Sequence, residues 1–258
     1  MAVAAVTGSA SGIGAAIRVS LEAGGDTVIG VDLRDAEVTA DLATPAGRAH
    51  AVAAVRALAS AQFGGLDRLV VCAGLGAHVR PPSRVASVNY FGAVDVLDGL
   101  LDILTRGEAP AALALCSNSA QMAPLDDHPY VQALLAHDED RARKLIDDED
   151  SPIVAYLGSK HALGRAVRRR AGDWGRRGVR LNAVAPGPVR TPLLQGGLDD
   201  PSTGAAIRNV RIPLGRLGEP EEVATLAAFL LSAAAGWIHG AVVYIDGGND
   251  AEIRPDRF

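Results

Sequence analysis

Tyr156 and Lys160 stand four residues apart in "AYLGSK", a spacing that puts both on one helix face, one turn from each other. A free phenol titrates near ~10 and is a poor base at neutral pH. A fixed ammonium about 4 Å away is worth roughly 4 kcal/mol at an effective dielectric near 20. That is ~3 pKa units, enough to bring a phenol toward the pH at which a general base works. Of the 25 basic residues only Lys144 and Lys160 are lysines. An arginine-rich chain that keeps a lysine here selects a compact ammonium over a planar guanidinium fork. Taken alone, the pair also fits an exposed tyrosine–lysine contact with no chemistry.

A second group lies near the amino terminus. "VTGSASGIG" sets Gly8, Gly12 and Gly14 after an apolar run and at the opening of an amphipathic stretch. Glycine lets the backbone turn sharply and a pyrophosphate approach closely, and a helix start offers unpaired N–H groups to the anion. A tight strand-to-helix turn would use the same glycines. The context favours the nucleotide: Asp32 ends the next apolar run, where a carboxylate accepts both hydroxyls of an adenosine ribose and repels a 2′-phosphate. Ala10 and Ser11 supply no positive charge, so NAD is expected as the cofactor; Arg34 leaves some NADP use open.

These groups must be held by something. "AVAAV" (2–6), "TVIGVD" (27–32), "LDRLVVCAG" (66–74), "AALALCS" (111–117), "VRLNAVAPG" (179–187) and "AVVYIDGG" (241–248) read as buried strands. "GIGAAIRVSLEAG", "AGRAHAVAAVRALASA" and "PEEVATLAAFLLSAA" read as helices between them. Ser151–Pro152 is an N-cap and first-turn proline for the helix of Tyr156. Continuous apolar strands alternating with helices predict an α/β protein, a single-domain Rossmann fold with a doubly wound parallel sheet and helices on both faces. One domain over 1–258 suits the length. Residues 120–152 break the rhythm as an acidic insertion whose "HDED" and "DDED" runs predict a solvated face.

Composition excludes other classes. A net charge of −5 invites neither nucleic acid nor an anionic membrane surface, and the arginines of "GRAVRRRAGDWGRRGVR" predict an exposed helix face. Cys72 and Cys116 sit in apolar runs as reduced core thiols. The histidines show no metal-ligand spacing, so no metal is expected, and His161 points off the face of Tyr156 and Lys160. No stretch suggests a signal peptide or membrane span, and the terminal "RPDRF" is no known retention or anchor signal, so a cytoplasmic protein is expected.

The spacing Thr-Gly-x-x-x-Gly-x-Gly, matched by Thr7 to Gly14, resembles the short-chain dehydrogenase/reductase family. So do "SVNYFGA" around Asn89, "VCAG" (71–74), "LALCSNSA" with Ser117, "NAVAPGPVRTPL" (182–193) and "YIDGG" (244–248), in order along nearly the whole chain. The resemblance implies hydride exchange between NAD and a secondary alcohol or ketone. Tyr156 would exchange the proton, Ser117 (Ser119 being the lesser candidate) would bind the reacting oxygen, and Asn89 would support a water leading to Lys160. Lys160 would also hold the nicotinamide ribose and lower the Tyr156 pKa. It further implies cofactor contacts from Gly8, Ser11, Gly12, Ile13 and Gly14, from Asp32 and Leu33, and from Asp41 and Leu42 beside the adenine. Cys72, Ala73 and Gly74, Pro186, Gly187 and Val189, and Thr191 at the carboxamide complete that set. Cys72 stands where the family usually has asparagine.

The short interval from Asp32 to Asp41, the 39 residues from Ser117 to Tyr156, and strings such as "DLRDAEVTADLAT" and "DGGNDAEIRP" are similar to bacterial 3α-hydroxysteroid dehydrogenase/carbonyl reductases. A small apolar carbonyl or alcohol substrate is implied, its choice lying in 120–152 and in the segment after Thr191. Pro192, Leu193, Leu194 and Ile212 would line its slot, or else serve as ordinary packing on a flap. A homodimer or homotetramer through the last helix and strand is expected if the insertion covers the helices of Asn89 and Tyr156. A dehydrogenase for another cyclic or terpenoid alcohol, and a catalytically silent NAD-binding regulator, are the other readings.

Overall fold

The computed structural model describes residues 2–256; the last two residues of "RPDRF" lie outside the described residues. Seven parallel strands form one sheet in the order β3-β2-β1-β4-β5-β6-β7. They are β1 (Val3–Thr7), β2 (Thr27–Asp32), β3 (Val38–Thr39), β4 (Arg68–Val71), β5 (Ala111–Leu115), β6 (Arg180–Pro186) and β7 (Val242–Ile245). β1 and β5 are buried at every position, the pattern of strands covered on both faces.

Strand order reverses at β1, and that reversal opens a crevice at the carboxyl ends of the strands. Thr7 closes β1 in register with Val31 of β2 and Val71 of β4, so the glycine loop after it falls into the crevice. Helices α1 (Gly12–Ala23) and α10 (Pro220–Leu231) pack on one face of the sheet. On the other lie α2 (Pro45–Phe63), α3 (Pro82–Ala86), a π-helical turn (Ser87–Gly92), α4 (Ala93–Leu104) and α7 (Pro152–Arg176). Short helices α8 (Pro192–Asp199), α9 (Gly204–Arg208) and α11 (Asn249–Ile253) follow β6 and β7.

The predicted strands are all present, several shorter than expected. Residues 72–74 and 116–117 leave the ladder to line the crevice, so their apolar runs overstate the strands. β3 was not anticipated, because two residues carry no periodicity.

Within 120–152 the chain forms α5 (Pro129–Leu135) and α6 (Glu139–Glu149), which pack on α7 and α3. Gly158 of α7 makes room for α5: a Cβ there would lie 2.8 Å from Cε1 of Tyr130, whose hydroxyl donates to the Ala155 carbonyl at 3.2 Å. His161 holds the start of the insertion, with Nδ1 2.8 Å from the Ala120 carbonyl.

The expectation of a wholly solvated "HDED" run needs correction. Glu139 turns inward to the buried Arg48 of α2 and accepts from Ser87 Oγ at 2.8 Å. Arg48 also pairs with Asp95 of α4 at 2.6 Å and donates to the Leu42 carbonyl at 3.3 Å. A buried guanidinium must be paired, and the insertion supplies one of its partners. The arginine cluster on α7 behaves as expected, Arg170 pairing with Asp98 at 2.6 Å and Arg165 with Asp126 at 3.5 Å.

Candidate active site

The amino end of α1 is built to receive an anion. Gly8 and Gly12 have φ values of 71° and 53°, a region that glycine enters without strain. A Cβ on Gly14 would lie 2.0 Å from the Gly8 carbonyl oxygen, so no side chain fits there. Ser11 occupies the N-cap without capping the helix through its side chain, and no acidic residue lies in the first turn. Its first N–H groups therefore remain for a phosphate. Thr7 Oγ1 accepts from the amides of Cys72 (3.0 Å) and Ala73 (3.1 Å), fixing the loop after β4 against this turn.

Asp32 stands at the end of β2, its carboxylate accepting from Ala10 N at 2.9 Å and Leu33 N at 2.7 Å. Arg34 is exposed and lies 3.9 Å from Asp35. All the residues assigned to the nucleotide, from Gly8 to Thr191, line one cleft of about 550 Å³, together with Ser117, Ser119, Tyr156 and Lys160. The glycine cradle, uncapped helix start and terminal carboxylate suit a dinucleotide's pyrophosphate and adenosine ribose.

Ser117 follows the end of β5 and caps a short 3₁₀ turn (Asn118–Gln121); its Oγ lies 2.7 Å from Ser119 Oγ. Ser151 caps α7 as predicted, accepting from Val154 N, and that helix carries Tyr156 and Lys160 into the cleft. Lys160 is buried and donates from Nζ to the Leu115 carbonyl at 2.7 Å. The other lysine, Lys144, is a surface residue paired with Asp148.

Asn89 does not touch the cleft. It sits fully buried on the π-helical turn, accepting from Leu75 N at 2.7 Å and donating to the Leu75 carbonyl at 3.0 Å and Ser159 Oγ at 3.3 Å. A Cβ on Gly74 would be 3.4 Å from Asn89 Oδ1 and 3.5 Å from Lys160 Nζ, so the two side chains converge behind that glycine. The π turn presents Asn89 to the β4 loop instead of to its own helix.

The electrostatics differ from the expectation. Burial pushes the Tyr156 phenol up and the Ser117 hydroxyl beside it pulls it down, so the phenol lies above its ordinary value and not below it as expected. Burial likewise lowers the Lys160 ammonium, whose charge is spent on Leu115. The ring sits beside water-accessible cleft, yet its surroundings disfavour the phenolate in the absence of a ligand.

Three further expectations change. Ile212 is not among the cleft residues; it packs at Gly247, where a Cβ would lie 2.6 Å from its Cγ2. Of residues 120–152 only Met122 reaches the cleft, so the insertion acts on α3 and α7 from outside. Thr191 lines the cleft, but its hydroxyl caps α8, accepting from Leu194 N at 3.2 Å. Sequence reasoning passed over Thr7 as a bridge, Arg48 and His78. Arg48 gave no signal, because its two charged partners come from distant segments.

A parallel sheet with a glycine-lined helix start at its switch point, and serine, tyrosine and lysine gathered in the adjoining cleft, defines a nucleotide-dependent oxidoreductase fold. The chain belongs to the short-chain dehydrogenase/reductase family: residues 8–250 match the family described as enoyl-(acyl carrier protein) reductase. It is 47% identical to the 3-alpha-hydroxysteroid dehydrogenase/carbonyl reductase of Comamonas testosteroni, over 100% of both chains. The cis-4-hydroxycyclohexanecarboxylate dehydrogenase of Sinomonas cyclohexanicum is 34% identical over 96% of each. The crystal structure of the 3-alpha-hydroxysteroid dehydrogenase from Pseudomonas sp. B-0831, complexed with NADH, superposes with a TM-score of 0.96 at 48% identity, covering 99% of this chain and 100% of that one.

Proposed function

We propose that this protein is an NAD-dependent 3α-hydroxysteroid dehydrogenase/carbonyl reductase acting on secondary alcohols and ketones of apolar ring systems. The observation that carries the reading is one cleft holding a nucleotide cradle at one end and Ser117 and Tyr156 against apolar walls at the other. Full-length similarity to the Comamonas enzyme supports the steroid class.

Bound NAD supplies the hydride acceptor for oxidation, and NADH the donor for reduction. Ser117 Oγ holds the reacting oxygen, and Ser119, within hydrogen-bond distance, fixes the direction of that hydroxyl. Tyr156 donates the proton to this oxygen in reduction and accepts it in oxidation. Lys160 pins the strand end that leads to Ser117 and would hold the nicotinamide ribose. Asn89 holds Leu75 and so the shape of the loop after β4 beside Lys160. Asp32 selects an unphosphorylated ribose by charge repulsion.

No helix among the described residues is long and apolar enough to cross a membrane. We place the protein in the cytoplasm, as a homodimer or homotetramer joined through α10 and β7, a region where Phe229 and Trp237 are exposed. Light scattering showing a monomer would defeat the assembly.

The test of function is NADH formation with NAD⁺ and androsterone, beside simple cyclic alcohols and an NADP⁺ control. Turnover of androsterone that vanishes in Tyr156→Phe supports the reading. Turnover of cyclic alcohols alone moves the substrate to another ring system. Silence across the panel with intact NAD binding makes the protein a nucleotide-binding regulator.

A further inference from the structure

His78, on the loop after β4, enters the cleft between two glycines of distant segments. A Cβ on Gly76 would lie 2.8 Å from its Nδ1, and one on Gly196 of α8 would lie 2.7 Å from its Nε2. A side chain at either position would push the imidazole out of this place. Gly196 is costly where it stands, because glycine inside a helix is destabilising relative to alanine. Seating the ring gives a reason to keep it.

The seat does not satisfy the ring. Nδ1 is buried and has no hydrogen-bond partner, an arrangement that loses free energy until something supplies one. The walls nearby are apolar, with Leu75, Met122, Ile153, Leu193 and Ile207 lining the same cleft. Other polar groups there are already committed. Thr203 Oγ1 donates to the Gly197 carbonyl at 2.6 Å, Asn118 donates to Asn249 at 2.8 Å, and Ser117 with Ser119 belongs to the reacting end. Arg84 also lines the cleft but is exposed.

We propose that His78 is a specificity-determining residue that hydrogen-bonds a second oxygen of the substrate, one other than the oxygen that reacts at Tyr156. The substrate class is thereby narrowed to alicyclic alcohols and ketones carrying two oxygen functions, an apolar ring system between them. The proposal rests on the dehydrogenase reading above. The bound substrate's second oxygen would supply the partner that the ring lacks.

The test compares androsterone, which has a second oxygen on the ring opposite the reacting one, with 5α-androstan-3α-ol, which lacks it. The wild-type protein is expected to prefer androsterone in kcat/KM by about tenfold, the value of one net hydrogen bond near the upper end of the usual range. His78→Leu is expected to erase the preference through KM of androsterone, leaving the one-oxygen steroid within about twofold. His78→Gln, which keeps a donor and an acceptor, is expected to retain part of it. Turnover of both steroids without preference in the wild type overturns the role of His78 and leaves the dehydrogenase reading intact. Equal losses on both steroids in His78→Gln overturn it as well and reduce the ring to packing. No turnover of either steroid overturns the steroid reading and the proposal with it.

Discussion

Lys160 donates from Nζ to the carbonyl oxygen of Leu115 at 2.7 Å, two residues before Ser117. The ammonium one helical turn from the phenol therefore also fixes the strand end from which Ser117, the proposed oxygen-binding residue, hangs. An arginine cannot do both, since its fork spreads donors in a plane. Lys160→Arg and Lys160→Met are each expected to lower kcat/KM by ~10²–10⁴, the range for disturbing a positioned acid–base group. A Lys160→Arg protein with near wild-type turnover would show that charge alone is required. Steady-state NADH formation decides it.

Burial raises the Tyr156 phenol above its ordinary 10.0, and only the Ser117 hydroxyl opposes this. The protonated form, needed to reduce a ketone, thus persists through neutral and mildly alkaline pH. The ionised form, needed to oxidise an alcohol, is scarce there. Log kcat/KM for alcohol oxidation is expected to keep rising through pH 9 to about 10, with reduction holding steady over the same span. An oxidation plateau already reached at about pH 7.5 would mean that the bound cofactor and Lys160 reverse the effect of burial.

The thiol of Cys116 is pushed up to about 12 from 9.0 by burial, and so is that of Cys72. A raised folded-state pKa favours the fold most below the unfolded value. That advantage is lost as pH rises from about 9 toward 12, because the unfolded chain ionises first. At pH 10.5 the fold is expected to have lost on the order of 2 kcal/mol through Cys116. Urea unfolding at pH 8 and pH 10.5 checks the figure, with Cys116→Ala expected to show a smaller difference between the two. An identical alkaline loss in the variant would assign it to other groups, the Cys72 thiol first among them and the buried Tyr130 phenol after it.

Arg48 is the buried junction of α2, α4 and α6, held by Asp95 and Glu139. Removing one partner from a buried ion pair leaves a charge uncompensated. Arg48→Met is accordingly expected to cost about 3–5 kcal/mol in denaturant unfolding. Glu139→Gln should cost less, because Asp95 remains and the amide still accepts from Ser87. Unfolding midpoints within error of the wild type for both variants would show that the junction contributes nothing net.

Most of the fold was legible in the sequence because parallel strands buried on both faces leave continuous apolar runs. β1, β2 and β6 lie almost where the runs do. The nucleotide end of the site was legible for a similar reason. Gly8, Gly12 and Gly14 are demanded by backbone geometry, which local sequence records directly. Geometry assembled from distant segments was not. Ile212 sits in an apolar segment beside the slot residues, yet it faces Gly247, and only the folded path of that segment shows it. The orientation of Lys160 toward Leu115 was equally hidden. Helical spacing fixes which face a residue occupies but not which carbonyl lies opposite.

The seating of Tyr130 against Gly158 has a consequence for behaviour on dilution. The outer face of the helix that carries Tyr156 is covered by a segment of the same chain, tied at its start by His161 and near its middle by Glu139. Closing that face is thus a unimolecular event, its equilibrium independent of how many copies are present. The order of the helix that carries Tyr156 should be the same at nanomolar as at millimolar concentration.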